Sequence, residues 1–406
     1  MALTPRSAAR PLASSPSAIS NSPRPSASDR PFWLAWPRVK GVGAHRLKQI
    51  YLHFGSLAAA WQADREALLT VDGIGLKVAE AIATQRSQID PDDILEAIAN
   101  RESANDDTAN VRAFTPADPD YPALLWEIPD PPPVLYAKGR PVDLEAPNIA
   151  IVGTRSPTEY GYRWTRSLAK ALAESGLTVV SGMALGVDGA AHRSALDAGG
   201  LTVAVVGTGV DVVYPRQHRE LCDRIQTQGA ILSEFLPGTP PARENFPRRN
   251  RIVAGMCRTT LTIEAPEKSG ALITAYLAND YNRDVYALPG NIDTPQARGC
   301  LKLIQRGAGL ILGVDELLEA IGASRSPQQQ SLFDVTPTPP QPELADADQA
   351  AIWKSLEDSN PVTFDRLSDL TQLEAAQLSS ALLMMELSDL VVQLPGMRYQ
   401  KSENFR

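Results

Sequence analysis

Asn148-Ile149-Ala150-Ile151-Val152-Gly153-Thr154-Arg155 is the stretch that decides the fold. Four apolar residues in a row stop at a glycine. An unbroken apolar run suits a strand covered on both faces, because a strand with one wet face alternates. Thirty residues on, Thr178-Val179-Val180-Ser181-Gly182 repeats the arrangement, and residues 164–174 between them carry an amphipathic helical pattern. Working outward, similar runs recur at 202–206, 230–234, 259–264, 284–288 and 309–312, with helical stretches such as 271–282 among them. Apolar strands alternating with helical crossovers predict an α/β, Rossmann-like, doubly wound parallel sheet. Ligands of such sheets sit beyond the carboxyl ends of the strands, so the chemistry belongs in the loops that follow these runs.

Those loops share one design. Gly153-Thr154-Arg155 follows the first run, Ser181-Gly182 the second, Gly207-Thr208-Gly209 the third, and Lys268-Ser269-Gly270 the fifth. Each is a small turn that feeds a helix, and a helix N-terminus offers N–H groups and a positive dipole end to an anion. Arg155 and Lys268 add cations to that rim. The densest positive run is Phe246-Pro247-Arg248-Arg249-Asn250-Arg251. Guanidiniums bridge phosphates and stack on bases, and a phenylalanine stacks as well. These residues predict a phosphate-binding and nucleic-acid-binding pocket.

The 406 residues carry a net charge of −8, so nucleic acid must meet a local patch rather than a basic surface. Length predicts two or three domains. No apolar run reaches the ~18 residues of a membrane span, and the first residues lack the apolar core of a secretory signal. Cys222, Cys257 and Cys300 lie 35 and 43 residues apart, without a C-x-x-C pair. They read as reduced core residues of a cytoplasmic protein. His45, His53, His192 and His218 lack metal spacing. His192 stands four residues after Asp188, which could make a ligand pair, but a helix-capping Asp188 beside a packed His192 is the simpler reading. No P-loop, dinucleotide fingerprint, catalytic triad or metal carboxylate cluster stands out. No catalytic residue, metal or cofactor is therefore expected.

Composition divides the chain. Residues 1–30 are Ser-, Ala- and Pro-rich and read as a disordered tail. Residues 31–105 read as a helical domain, in which Val39-Lys40-Gly41-Val42-Gly43 and Val71-Asp72-Gly73-Ile74-Gly75 each precede a helical pattern. Two glycines around one apolar residue suit a tight turn between helices. The pair is similar to tandem helix-hairpin-helix units, which let backbone N–H groups approach a phosphate. Residues 112–322 hold the sheet. Residues 323–344 form a Gln/Pro-rich linker. Residues 345–398 resemble a winged helix; ahead of its Pro-Gly turn that part carries nine acids against Lys354 and Arg366. A wing that reads DNA is basic, so this one is expected to face protein.

The strings quoted above, with Asp188-Gly-Ala-Ala-His192, Glu264-Ala-x-x-Lys268-Ser-Gly270, Ala287-Leu-Pro-Gly290 and Tyr121-Pro122, resemble the DNA processing protein A (DprA, or Smf) family over 112–322. The helical part resembles that family's sterile-alpha-motif-like domain more loosely. The resemblance implies a non-enzymatic, cytoplasmic single-stranded DNA-binding protein. Such a protein protects incoming strands during natural transformation, loads the RecA recombinase, and forms a homodimer through its Rossmann-like domain. It implies a pocket in which Arg155, Arg248, Arg251 and Lys268 hold phosphates, while Gly153, Ser181, Gly182, Ser269 and Gly270 donate around them. Thr154, Phe246, Arg249 and Asn250 complete the expected site. Leu301 departs from the family's usual asparagine. The alternative is a Rossmann-like hydrolase that releases bases from nucleoside monophosphates. That group carries a Pro-Gly-Gly-x-Gly-Thr loop with a catalytic glutamate; here the Pro-Gly-Gly lead is missing, and Glu264 reads as structural. In the linker, Gln329, Leu332 and Phe333 resemble a sliding-clamp-binding peptide, whose apolar side chains enter a groove while the glutamine fixes register.

Overall fold

The computed structural model describes residues 24–103, 111–140, 142–144, 146–323, 347–356, 361–388 and 390–402. The linker segment with Gln329, Leu332 and Phe333 lies outside them. The chain divides into two compact units, Met1–Ser326 and Pro327–Arg406.

The first unit opens earlier than the Ser- and Pro-rich composition predicts. Asp29, inside the expected 1–30 tail, is buried and accepts hydrogen bonds from Ser56 Oγ (2.8 Å) and Ala58 N (2.9 Å). Arg30 pairs with Asp118 at 2.9 Å. Six helices follow: α1 (Arg30–Ala35), α2 (Ala44–Phe54), α3 (Leu57–Gln62), α4 (Arg65–Leu69), α5 (Leu76–Arg86) and α6 (Pro91–Ser103). Both glycine pairs make the expected turns. Gly41 and Gly73 hold φ of +92° and +77°, a region that side chains rarely adopt, and Gly43 and Gly75 open α2 and α5. Arg46 bridges the two turns, donating to Gly41 O (2.7 Å) and Gly73 O (3.2 Å).

The sheet follows with β1 (Val111–Phe114), α7 (Ala123–Glu127), β2 (Leu135–Gly139), β3 (Asn148–Val152), α8 (Glu159–Glu174), β4 (Thr178–Ser181), α9 (Val187–Asp197) and β5 (Thr202–Val205). It continues with α10 (Arg219–Gln228), β6 (Ala230–Ser233), α11 (Asn245–Met256), β7 (Thr259–Thr262), α12 (Gly270–Asp280), β8 (Asp284–Ala287), α13 (Arg298–Gln305), β9 (Gly309–Leu310) and α14 (Val314–Ala320). The nine strands lie in the order β1-β2-β6-β5-β4-β3-β7-β8-β9. All seven expected runs form strands, β3 through β9, and all pair in parallel. The sheet is not wholly parallel, however. β1 and β2 form an antiparallel hairpin that pairs β2 against β6 and covers that edge. From β3 the chain winds outward through β4, β5 and β6, then returns to lay β7, β8 and β9 on the other flank. The strand order therefore reverses between β3 and β7, the position where doubly wound sheets hold ligands.

The helices and the sheet share one core. Trp33 of α1 meets Trp126 edge-on at 5.8 Å, and Tyr51 of α2 meets the same ring at 5.5 Å. Lys48 of α2 is buried and donates to the carbonyls of Trp126 (2.7 Å), Glu127 (3.3 Å) and Ile128 (2.7 Å). These last carbonyls of α7 lack partners inside their own helix. Burial pulls the Lys48 ammonium down to about 8.

The second unit has α15 (Ala347–Ser355), β10 (Val362–Thr363), α16 (Phe364–Thr371), α17 (Ala375–Leu387), β11 (Val391–Leu394) and β12 (Arg398–Lys401), with strand order β10-β12-β11. Ile352, Leu367, Leu378, Leu382, Met385 and Tyr399 fill its core. This is the winged-helix order of elements. α17 stands where a DNA-reading helix would, yet it contains no Lys or Arg, and Leu383, Met384 and Leu387 lie exposed on it.

Candidate nucleic-acid interface

A cavity of about 740 Å³ opens at the reversal point. Loops supply part of its wall: Gly153, Thr154 and Arg155 after β3, Gly182 and Ala184 after β4, Tyr214 beyond β5, and Lys268 and Ser269 after β7. Val152 of β3, Asp188 of α9 and two further helices complete it. From α11 come Phe246, Arg249, Asn250 and Val253, spaced i, i+3, i+4 and i+7, which is one helical face. From α12 come Gly270, Ile273 and Thr274, at its N-terminal end.

That face explains how the arginine run divides. Arg249 enters the cavity floor, buried, donating from Nη1 to Gly182 O (2.7 Å) and to Val205 O. Burial lowers its guanidinium to about 10 against the opposing pull of Asp188, so it stays charged at neutral pH. Burial pushes the Asp188 carboxyl up, and Arg249 and nearby donors pull it back. Arg248 points to solvent, with its guanidinium 5.6 Å from the Phe235 ring centre. Arg251 is placed elsewhere. It turns inward and pairs with Asp130 (3.2 Å) and Glu234, away from the cavity lining. A helix period separates residues that stand side by side in the linear sequence.

Several expected donors are likewise occupied within the protein. Ser181 is fully buried and its hydroxyl donates to Ile151 O at 2.6 Å. Gly182 N and Ala184 N donate to Asp188 at 3.1 and 3.2 Å, so Asp188 hooks its own loop shut instead of capping α9. Thr154 N donates to Glu264 O at 2.6 Å, and Ser269 N to Pro266 O at 2.9 Å. Ser269 caps α12 by accepting from Ala271 N, and Asn250 ties α11 to it by donating to Gly270 O at 3.4 Å. Gly153 leaves no room for a side chain, because an added Cβ would lie 2.5 Å from Val187. These glycines shape the cavity more than they donate into it.

The cations that remain at the mouth are Arg155, Arg243 and Lys268. All three are exposed and have no ion-pair partner among the described residues. The positive end of α12 adds to them. The same lining holds an aromatic pair: Tyr214 lies 5.4 Å from Phe246, with the rings tilted by 36°. Ile273, 41% exposed, adds apolar surface to the same lining. Tyr214 and Arg243 carried no signal in the sequence beyond their types, since each sits on a loop whose course only the fold reveals.

Other candidates resolve away from the cavity. Glu264 spends both carboxylate oxygens on Thr158, accepting from its backbone N (2.8 Å) and its hydroxyl (2.6 Å) at the start of α8. His192 is fully buried, and its Nδ1 lies 2.7 Å from Thr202 Oγ1. The Thr202 hydroxyl already donates to Val179 O, so the imidazole Nδ1–H is the donor to Thr202. Burial lowers this imidazole to about 3. Among the described residues no group of three His, Cys, Asp or Glu could hold a metal. The three cysteines are buried and unpaired. No described helix is long and apolar enough to cross a membrane.

Residues 112–322 match the model of the DNA recombination-mediator protein A family, and residues 336–397 that of the DprA winged helix domain. Protein Smf of a Synechocystis strain is 44% identical over 402 residues, covering 92% of this chain and 99% of the relative. The DNA processing protein DprA of Streptococcus pneumoniae is 43% identical over 206 residues, covering 51% of this chain and 73% of the relative. The solved structure of DprA from Streptococcus pneumoniae aligns with a TM-score of 0.60 at 33% identity, covering 70% of this chain and 94% of that one.

Proposed function

This chain belongs to the DNA processing protein A (DprA/Smf) family, and from that premise we propose that the cavity between β3 and β7 holds a single DNA strand. The observation that carries this is the make-up of the lining: three cations without an ion-pair partner among the described residues share one cavity with a Tyr–Phe pair. Phosphates lie against the cations while an unstacked base reaches the rings. A base inside a duplex cannot enter such a cavity, so single strands are preferred. Thr154, Arg155, Phe246, Arg249, Asn250, Lys268, Ser269 and Gly270 belong to this site, with Tyr214 and Arg243 added. Arg249 holds the floor in shape and lends it charge. Arg251 and Ser181 serve the scaffold.

No bond needs to break here. The base-releasing alternative requires a carboxylate free to act, and Glu264 is held by Thr158. The protein works as a cytoplasmic recombination mediator that protects incoming strands and passes them to RecA. It acts as a homodimer, for which the open edge at β9, with Leu310 and Leu312 exposed, is the surface we favour. A gel shift with matched single-stranded and blunt double-stranded oligonucleotides, beside a base-release assay on nucleoside monophosphates, tests the central reading. Single-strand preference without base release is expected. Equal affinity for the duplex, or release of base, overturns it.

A further inference from the structure

A second cluster of cations lies beside the cavity. Tyr214 lines the cavity, and Arg216 follows two residues later in a short 3-10 turn that runs into α10. Arg219 stands at i+3 from Arg216, on the same side of that turn. His218 between them lies 3.0 Å from Met183 O through Nδ1, and Nη2 of Arg193 lies 3.4 Å from its Nε2. Arg193 belongs to α9, about 9 Å along its axis from Val187 at ~1.5 Å per residue. The loops after β4 and β5 thus gather Arg193, Arg216 and Arg219 on the edge of the sheet that carries the cavity.

All three guanidiniums are exposed and lack an ion-pair partner among the described residues. The acids around them are largely engaged elsewhere. Asp197 pairs with Arg224 at 2.6 Å, Asp211 accepts from Gly238 N at 2.8 Å, and Asp188 is hooked to its own loop. Glu220 and Asp223 stay exposed on α10. His218 is held neutral: burial lowers its imidazole, opposed by its hydrogen bond to Met183. It acts as a spacer that fixes Arg193, so this charge does not depend on pH near neutrality.

Resting on the single-strand reading of the cavity, we propose that the strand leaving it passes Tyr214 and runs across Arg193, Arg216 and Arg219. The site is then a track rather than a single pocket. Its ligand is the backbone of a continuing strand, because unpaired guanidiniums adjoin a cavity wall that already presents an aromatic ring. The binding energy gained there depends on strand length and is absent for a short oligonucleotide.

The test compares the wild type with Arg193→Glu/Arg216→Glu/Arg219→Glu, using fluorescence anisotropy with oligothymidylates of about 6 and about 20 nucleotides, in the range of single-strand site sizes. Affinity for the short strand is expected to stay within twofold. The long strand is expected to weaken at least tenfold, and its log–log salt slope to become shallower by about 0.7 × 3 ≈ 2. The matching triple lysine variant keeps the charge and restores the slope. An unchanged long-strand affinity and slope, while Arg155→Gln still weakens the short strand, overturns the track and leaves the cavity reading standing. Loss of short-strand binding by the wild type itself would instead sink the cavity reading. A triple glutamate variant that binds both strands as the wild type does but no longer retains RecA would assign the cluster to protein and overturn the proposal.

Discussion

Replacing Arg155, Arg243 and Lys268 by glutamine, singly and together, measures how many phosphates the cavity holds. Each exposed cation that meets a phosphate releases counterions from a single strand, worth about −0.7 in the slope of log affinity against log salt. Three such cations line the mouth, so a strand of about six nucleotides should give a slope of about −0.7 × 3 ≈ −2.1. Between about 50 and 200 mM salt its affinity then falls by about 4 to the power 2.1, roughly 18-fold. Any single variant removes one contact, leaves a slope of about −1.4, and cuts that salt penalty to roughly sevenfold. The triple variant should be nearly flat. Arg249 supplies the internal control. It is buried against Asp188 and two carbonyls, so it shares few counterions with solvent, and Arg249→Gln should weaken binding at every salt concentration without changing the slope. Anisotropy titrations at four salt concentrations suffice. A slope that Arg155→Gln leaves untouched, or that Arg249→Gln shifts as far as the rim variants do, refutes the placement of phosphates at the mouth.

Arg251 and Arg248 should separate by stability. Arg251→Gln removes the shared partner of Asp130 and Glu234 and should cost about 3–5 kcal/mol, whereas the exposed Arg248→Gln should stay within about 0.5 kcal/mol in urea unfolding. His192 should give the fold an acid limit. Its pKa of about 3 lies below the ordinary 6.5, so between those values the unfolded chain binds the extra proton. Stability is therefore full above about pH 6.5 and falls by up to about 1.4 kcal/mol per pH unit below it. His192→Gln should flatten that slope, and an equally steep acid loss in the variant would show that other groups carry it. Deleting 345–406 should leave single-strand affinity close to the wild type, since α17 has no cation to offer; a tenfold drop would make the wing a DNA reader.

Strands such as β3 and β5 were legible because buried parallel strands read as apolar runs, Ile-Ala-Ile-Val and Val-Ala-Val, while β7, Thr-Thr-Leu-Thr, was legible from its place in the alternation with helices. The hairpin of β1 and β2 was not. Val111-Arg112-Ala113-Phe114 is only four residues long, and its partner lies more than twenty residues away, so only tertiary pairing makes it a strand. The residues after β3 and β7 could be placed because a topological rule points at the carboxyl ends of strands. Phe246–Arg251 could not be sorted without its helix, whose turn sends Arg249 into the cavity, Arg248 to water and Arg251 to Asp130. Ser181 misleads for a similar reason: it is the last residue of a buried strand, and its hydroxyl is claimed by the neighbouring strand. Asp29 was hidden by its surroundings, since its Ser- and Pro-rich neighbours conceal its hydrogen bonds to Ser56 and Ala58.

Lys48 and Trp126 bear on how this chain can be dissected. The stretch that the family model matches, 112–322, shares its core with the helices before it. Excised on its own it would bare Trp126 to water, lose the ring contacts of Trp33 and Tyr51, and leave the carbonyls at the end of α7 without the ammonium that satisfies them. Baring Trp126 in this way costs about 1.5–3 kcal/mol. Any lineage or laboratory that trims the N-terminal helices must therefore redesign the surface beneath them. The division that the fold itself draws falls on the far side of α14, between the units Met1–Ser326 and Pro327–Arg406.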